Sequence, residues 1–331
     1  MVVNKFFKKY NCSNSVEEIK NIEKIRIPLK LRNWINEYEK LGLRNDFIWK
    51  LFISVEKEVN YILVPKKHKT SLNEVQFLIA MYIVLIDDIA DHENNNKLLK
   101  ALFKVPFSQN NINYNKLNKK ELEYIKLTIK IWKRINEIIS SYSGYLMLKT
   151  IFEYDLEQMI NAVNYDYIIN NNRFLINRTE CFLYSPHSMK FVINPTIHLM
   201  CLSKLDLNDV SSIRQIDWRA QKMLRIGNWI STWEREIDEN DFTSGVFAYA
   251  IDSEIINLEE IKKNKKKLII KKIKNSNIEK KLLSEWGKNY TAILNYDKKI
   301  KYLDIKCFLN GLEKILSLEL MRKGVFNEKL I

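Results

Sequence analysis

Glycine and proline are scarce, with seven and five in 331 residues. A sheet-rich fold of this size needs many tight turns, so the scarcity argues for long helices. Cysteine is as rare. Cys12, Cys181, Cys201 and Cys307 are scattered and form no CxxC pair. That pattern excludes a zinc ribbon and a disulfide framework and fits a reducing, cytoplasmic setting. The N-terminal "MVVNKFFKKYNCSNS" lacks the apolar core of a signal peptide. The longest nearly apolar run, residues 75–86, is shorter than a bilayer span, so no membrane span is expected. Neither an internal repeat nor a Gly/Ser-rich linker divides the chain.

What is present reads as a globular protein. Hydrophobic residues make up 46% and charged residues 28%, on a chain long enough for a sizeable core. The formal net charge of +14 raises a nucleic-acid partner as one reading. Much of that charge, however, falls in "IKKNKKKLIIKKIKN" (261–275), and the rest is lysine spread among Asn and Ile. Such a bias is what an AT-rich coding sequence produces. A solvated surface is the preferred reading, with no nucleic-acid partner.

Helical periodicity recurs along the chain. "LRNWINEYEKLGL" places Leu31, Trp34, Ile35, Tyr38 and Leu41 on one face and ends at Gly42. "SLNEVQFLIAMYIVLIDDIAD" opens with Ser71 and Glu74 in capping-box spacing. Residues 119–163 read as two long helices broken near Gly144, and residues 206–241 as a helical region broken near its start. A last helix covers "DIKCFLNGLEKILSLELMRK". The expected architecture is all-α, a single-domain bundle of about ten helices over residues 31–331 behind an N-terminal arm of residues 1–30.

Two constellations carry chemistry. In "VLIDDIADHE", Asp87 and Asp91 stand four residues apart and share a helix face, with Asp88 rotated by about 100°. Like charges at that spacing are unfavourable unless a cation lies between them. Mg²⁺ suits the pair, because it takes one or two carboxylates and keeps its other positions for water and phosphate oxygens. In "RIGNWISTWEREIDEND", Asn228, Thr232 and Glu236 recur at four-residue steps, so an amide, a hydroxyl and a carboxylate form one stripe. Taken singly, each could be an ordinary polar helix surface.

Together and in this order, 141 residues apart from Asp87 to Asn228, they resemble the class I terpene synthases, whose aspartate-rich DDxxD/E motif faces an (N/D)DxxSxxxE triad. "NWINEYEKLGL" and "VPKKHKTSLNEVQFLIAMYIVLIDD" resemble the segments that lead into the first motif. The resemblance implies the class I terpenoid synthase fold and three Mg²⁺ ions, with Mn²⁺ as a substitute. Asp87 and Asp91 would bind two of the ions and Asn228, Thr232 and Glu236 the third. Asp88 would support them, and Arg235 would stand where relatives place a lysine on the diphosphate. Trp229 holds a non-ligand position that is usually aspartate.

Two positions depart from the family pattern. Phe182 stands where the diphosphate-sensing arginine is expected, which makes Arg178, one turn earlier, the candidate. The C-terminal Arg-Tyr pair has only Arg322 as its counterpart.

The resemblance implies a lyase that ionises a prenyl diphosphate and cyclises the carbocation. Farnesyl diphosphate is the first choice of substrate and geranylgeranyl diphosphate the alternative, with the enzyme a monomer or homodimer. Phe77, Ile83 and Val84, on the aspartate-bearing side of their helix, are the substrate-contact candidates. A prenyl-elongating synthase would need a second aspartate-rich motif and an arginine pair, and a squalene-type synthase would need paired DxxxD elements. From another class, a basic helical nucleic-acid-binding or scaffold protein explains the lysines but leaves the two ligand stripes as coincidence.

Overall fold

The structure, a computed structural model, describes residues 20–60, 62–90, 95–296, 300 and 303–323, without the side chains of Lys116 and Arg322. The described residues form fourteen α-helices. In chain order these are α1 (Leu29–Tyr38), α2 (Asp46–Val59), α3 (Lys69–Asp88), α4 (Asn96–Lys104), α5 (Lys119–Ile139), α6 (Tyr145–Asn171) and α7 (Arg178–Tyr184). There follow α8 (Ile193–Met200), α9 (Leu207–Asp238), α10 (Gly245–Asp252), α11 (Leu258–Lys262), α12 (Lys266–Lys274), α13 (Ile278–Leu294) and α14 (Ile305–Arg322). The described residues contain no strand, only an isolated antiparallel bridge between Ile62 and Leu303. The all-α expectation holds, with more and shorter helices than the sequence periodicity suggested.

Helix α3 is the centre of the bundle. Fifteen of its twenty residues are buried, so it is apolar on every face, as a core helix must be. With the preceding turn it forms a segment, Lys66–Asp88, that is long and apolar enough to cross a membrane. Its most apolar window is 78% buried inside the protein, which identifies it as core. Helix α5 packs along α3, while α9 packs on α13 and α14. Each fully buried Leu, Ile or Phe contributes about 1.5–3 kcal/mol.

Two local expectations are corrected. Ser71 and Glu74 do not form a capping box. Helix α3 starts earlier, at Lys69, directly after the 3-10 turn Lys66–His68, and Ser71 Oγ donates to the His68 carbonyl at 3.0 Å. Glu74 is buried, accepts from Arg134 Nε at 2.9 Å and pairs with Lys30 at 2.7 Å. Two cations satisfy a buried carboxylate better than one backbone amide can. Helix α9 runs unbroken for 32 residues, because nothing between Leu207 and Gly227 interrupts its backbone hydrogen bonds. The basic stretch forms two helices, α11 and α12, turned at Asn264 with φ 50°. The break near Gly144 is present, with Gly144 as the N-cap of α6.

Between α7 and α8 the chain tightens into a 3-10 segment, Ser185–Met189, and Lys190 takes a left-handed φ of 53°. This kink carries Ser185 and Ser188 inward beside α9.

Two glycines give opposite predictions. A Cβ on Gly311 of α14 would lie 1.8 Å from the Glu58 carbonyl oxygen of α2, so that residue sets how closely the two helices approach. Gly311→Ala is expected to cost about 3 kcal/mol through overpacking. A Cβ on Gly227 of α9 would meet nothing nearer than 3.5 Å. Gly227→Ala is expected to stabilise by about 0.5–1 kcal/mol, since alanine loses less backbone entropy in a helix. Urea melts of the two variants check both signs.

Candidate active site

A cavity of about 650 Å³ opens between α2, α3, α6 and α9. One wall is apolar, built from Phe47, Ile48, Leu51 and Phe52 of α2 with Val84 of α3 and Val163 of α6. Much of the remaining lining is polar. Asp87 comes from the end of α3, and Asn228, Thr232, Arg235 and Glu236 come from α9. Asp87 and the α9 stripe therefore border one space, which their separation in sequence could not guarantee.

The stripe on α9 is internally paired. Thr232 Oγ1 lies 2.6 Å from Glu236 Oε1 and 2.8 Å from the Asn228 carbonyl oxygen. Asn228 Oδ1 accepts from Arg225 Nη1 at 3.1 Å. Ser231, on the next face, donates to Glu319 of α14 at 2.5 Å and fixes the roll of α9. Trp229 is buried against Phe182, with ring centroids 5.0 Å apart, as befits a residue outside the ligand stripe.

The two adjacent aspartates occupy different worlds. Asp88 is fully buried, accepting from Tyr38 Oη at 2.5 Å, from the Leu43 amide at 3.3 Å and from Arg44 Nε at 3.0 Å. It pins the α1–α2 loop to the end of α3 and so carries Arg44 to the cavity. Asp87 faces the cavity, and burial pushes its carboxyl up to about 7, with Arg44 opposing the shift. Glu236 is pushed up to about 8 by burial and by Asp241, and its Oε2 is buried without a partner.

Sequence reasoning missed Arg225, Asp166, Arg44 and Asp241, which all line the cavity. Arg225 Nη2 lies 3.1 Å from Asp166 Oδ2 and 2.7 Å from Ser185 Oγ, so its guanidinium is held from two directions. Asp166, on α6, is pushed up to about 7 by burial against the pull of Arg225. The signal for Arg225 was available, since it lies one turn before Asn228 on the same face. No local pattern marks Asp166 within "NYDYIINNN".

Some predicted residues lie elsewhere. Arg178 does not line the cavity. Its guanidinium sits 4.0 Å above the Tyr249 ring and pairs with Asp252 at 3.5 Å on an outer face. Phe182 beneath it fills apolar space against Trp229 and Tyr249. Phe77 packs on Trp49 and, like Ile83, is core outside the cavity lining, whereas Val84 lines it. Asp91 lies outside the described residues, and Arg322 ends α14 with its side chain outside the description.

The donor set fits a hard divalent cation: carboxylate, amide and hydroxyl oxygens, with an orphaned buried Glu236 oxygen among them. Among the described residues, no three His, Cys, Asp or Glu side chains already converge as a closed metal cluster.

The two aspartates should respond oppositely to substitution. Asp88→Ala removes the carboxylate that a buried hydroxyl, an amide and a guanidinium share, at an expected cost of about 3–5 kcal/mol. Asp87 has a folded pKa above its unfolded value of about 4. Its protonation stabilises the fold at acidic pH, and that contribution fades as pH rises from about 4 to about 7. Without divalent cation, Asp87→Asn is expected to raise the melting temperature at pH 8 and less so at pH 5. Differential scanning fluorimetry in chelator at both pH values is the measurement.

No protein-family model matches the sequence, and no curated protein matches it. In structure the chain is similar to isoprene synthase from grey poplar leaves (Populus x canescens), with a TM-score of 0.51 at 15% identity over 87% of this chain. It spans 52% of that protein's length. At that identity the likeness establishes an all-α fold of the terpene synthase kind.

Proposed function

We propose that this chain is a Mg²⁺-dependent class I terpene synthase that ionises a linear prenyl diphosphate and cyclises the resulting carbocation. The observation that carries the reading is the meeting of Asp87 with the Asn228–Thr232–Glu236 stripe at one cavity that apolar side chains of α2, α3 and α6 also line. These four residues, with Asp91, would hold Mg²⁺, three ions in all or Mn²⁺ in their place. Bound Mg²⁺ supplies the positive charge that makes diphosphate a good leaving group.

The chain's own residues do the remaining work. Arg225, Arg235 and Arg44 line the polar end and would bind diphosphate oxygens with preset guanidinium geometry. Asp166 and Ser185 hold Arg225 in place, and Asp88 does the same for Arg44. Leu51, Ile48, Val84 and Val163 exclude water that would otherwise quench the cation. Phe47 and Phe52 line the same wall and would offer aromatic groups for cation–π stabilisation. Arg225 takes the diphosphate role that the family comparison had suggested for Arg178. The first-choice substrate is farnesyl diphosphate, with geranylgeranyl diphosphate the alternative, in a cytosolic monomer or homodimer.

Incubation with C10, C15 and C20 prenyl diphosphates and Mg²⁺, followed by gas chromatography of volatiles, tests this. Hydrocarbon or alcohol product is expected from one chain length. Glu236→Ala and Asp87→Ala should each abolish turnover while circular dichroism retains the helical spectrum. Salt-sensitive RNA binding without any turnover would refute the reading, and wild-type activity in Glu236→Ala would refute the metal assignment.

A further inference from the structure

The reaction leaves the lysine-rich stretch unused. Residues 261–275 carry eight lysines and no acidic residue. Their location is informative, because α12 lies at the cavity. Ile269 and Ile273 are buried in the core, and Ile270 between them lines the cavity. Lys266 and Lys274 stand four residues either side of Ile270 and Lys267 three residues before it, so all three share its face.

Two of these lysines are tied to the triad helix. Lys266 Nζ donates to the Asp238 carbonyl at 3.1 Å, and Lys274 Nζ pairs with Glu234 at 2.6 Å. Asp238 and Glu234 both line the cavity mouth, which places α12 across the rim. Lys267 and Lys271 are exposed, and Lys271 also borders a second pocket beside Leu268 and Lys272.

Electrostatics gives that placement a purpose. Seven acidic side chains line the cavity against three arginines. A mouth of that sign attracts divalent cations but repels a diphosphate until they are bound. Surface charges act over about 8 Å at physiological ionic strength, so only a cationic element at the rim itself can offset the repulsion.

We infer that α12 is a substrate-capture rim, in which Lys266, Lys267, Lys271 and Lys274 draw a diphosphate-bearing anion to the cavity mouth ahead of metal-assisted binding. The inference rests on the diphosphate substrate class proposed above and assigns recognition of that group's charge to a segment outside both ligand motifs.

The test is stopped-flow tryptophan fluorescence with inorganic diphosphate and Mg²⁺, on wild type, Lys267→Glu/Lys271→Glu and Lys133→Glu/Lys126→Glu. The control pair lies on α5, which contributes no residue to the cavity. At low salt the α12 variant is expected to associate about fivefold more slowly and the control at the wild-type rate, with the gap closing as salt rises. Dissociation rates and melting temperatures should be unchanged. Equal association rates in all three proteins, or a gap that persists at high salt, would overturn the rim. Co-sedimentation with anionic phosphatidylserine vesicles that the α12 variant loses, with diphosphate association intact, would assign the lysines to a membrane surface instead and also overturn it. Salt-sensitive, α12-dependent diphosphate binding without turnover of any prenyl diphosphate would keep the rim and sink the synthase reading. Absence of diphosphate binding by wild type would sink both.

Discussion

A buried carboxylate at the end of the most apolar helix organises this protein. Asp88 has no solvent exposure, and an isolated charge there would cost several kcal/mol. Its stability comes from Tyr38, the Leu43 amide and Arg44, all supplied by the end of α1 and the loop after it. That requirement fixes where α1 and α2 join the bundle. It also fixes the roll of α3, because neighbouring helical positions differ by about 100°. Once Asp88 is turned inward to its three donors, Asp87 is turned toward the cavity.

The facing wall is held by a different device. Helix α9 is clamped by buried Trp229 and Trp233, by Ser231 on Glu319 and by Trp233 Nε1 on Glu279 at 2.9 Å. Its ligand stripe then has one remaining direction, across the cavity toward α3. Arg225 joins that stripe to α6 through Asp166. The result is a polar mouth whose carboxyls are raised by burial, against an apolar wall with nothing to hydrogen-bond. A mouth in that condition is poised for cations, and its charge balance changes when they arrive. The lysines of α12 border the same mouth, so opposite fields meet within one or two turns of helix.

Legibility in the sequence followed distance along the chain. The Asn228–Thr232–Glu236 stripe was readable because four-residue spacing alone puts side chains on one helix face, whereas Asp91, the expected partner of Asp87, lies outside the described residues. The same logic would have found Arg225, one turn before Asn228. Asp166 could not be found that way, since it meets Arg225 across 59 positions of chain. The Ser71–Glu74 spacing misled because a buried ion pair with Arg134 and Lys30 competed for the glutamate. Arg178 misled because one turn of α7 faces Tyr249 and Asp252, while its neighbour Phe182 packs on Trp229.

The amino-acid pattern by itself determined an all-α bundle, a core helix ending in aspartates and a second helix with an oxygen-ligand stripe. Scarce glycine and proline, local periodicity and side-chain chemistry suffice for that. Tertiary structure alone decided that Asp87 and the α9 stripe face one cavity, that Asp88 supports while Asp87 is exposed to it, and that Arg225 rather than Arg178 reaches the polar end. It also decided that a lysine-rich segment borders the mouth. Those outcomes depend on how buried charges find partners between helices distant in sequence, and helical spacing carries no information about that.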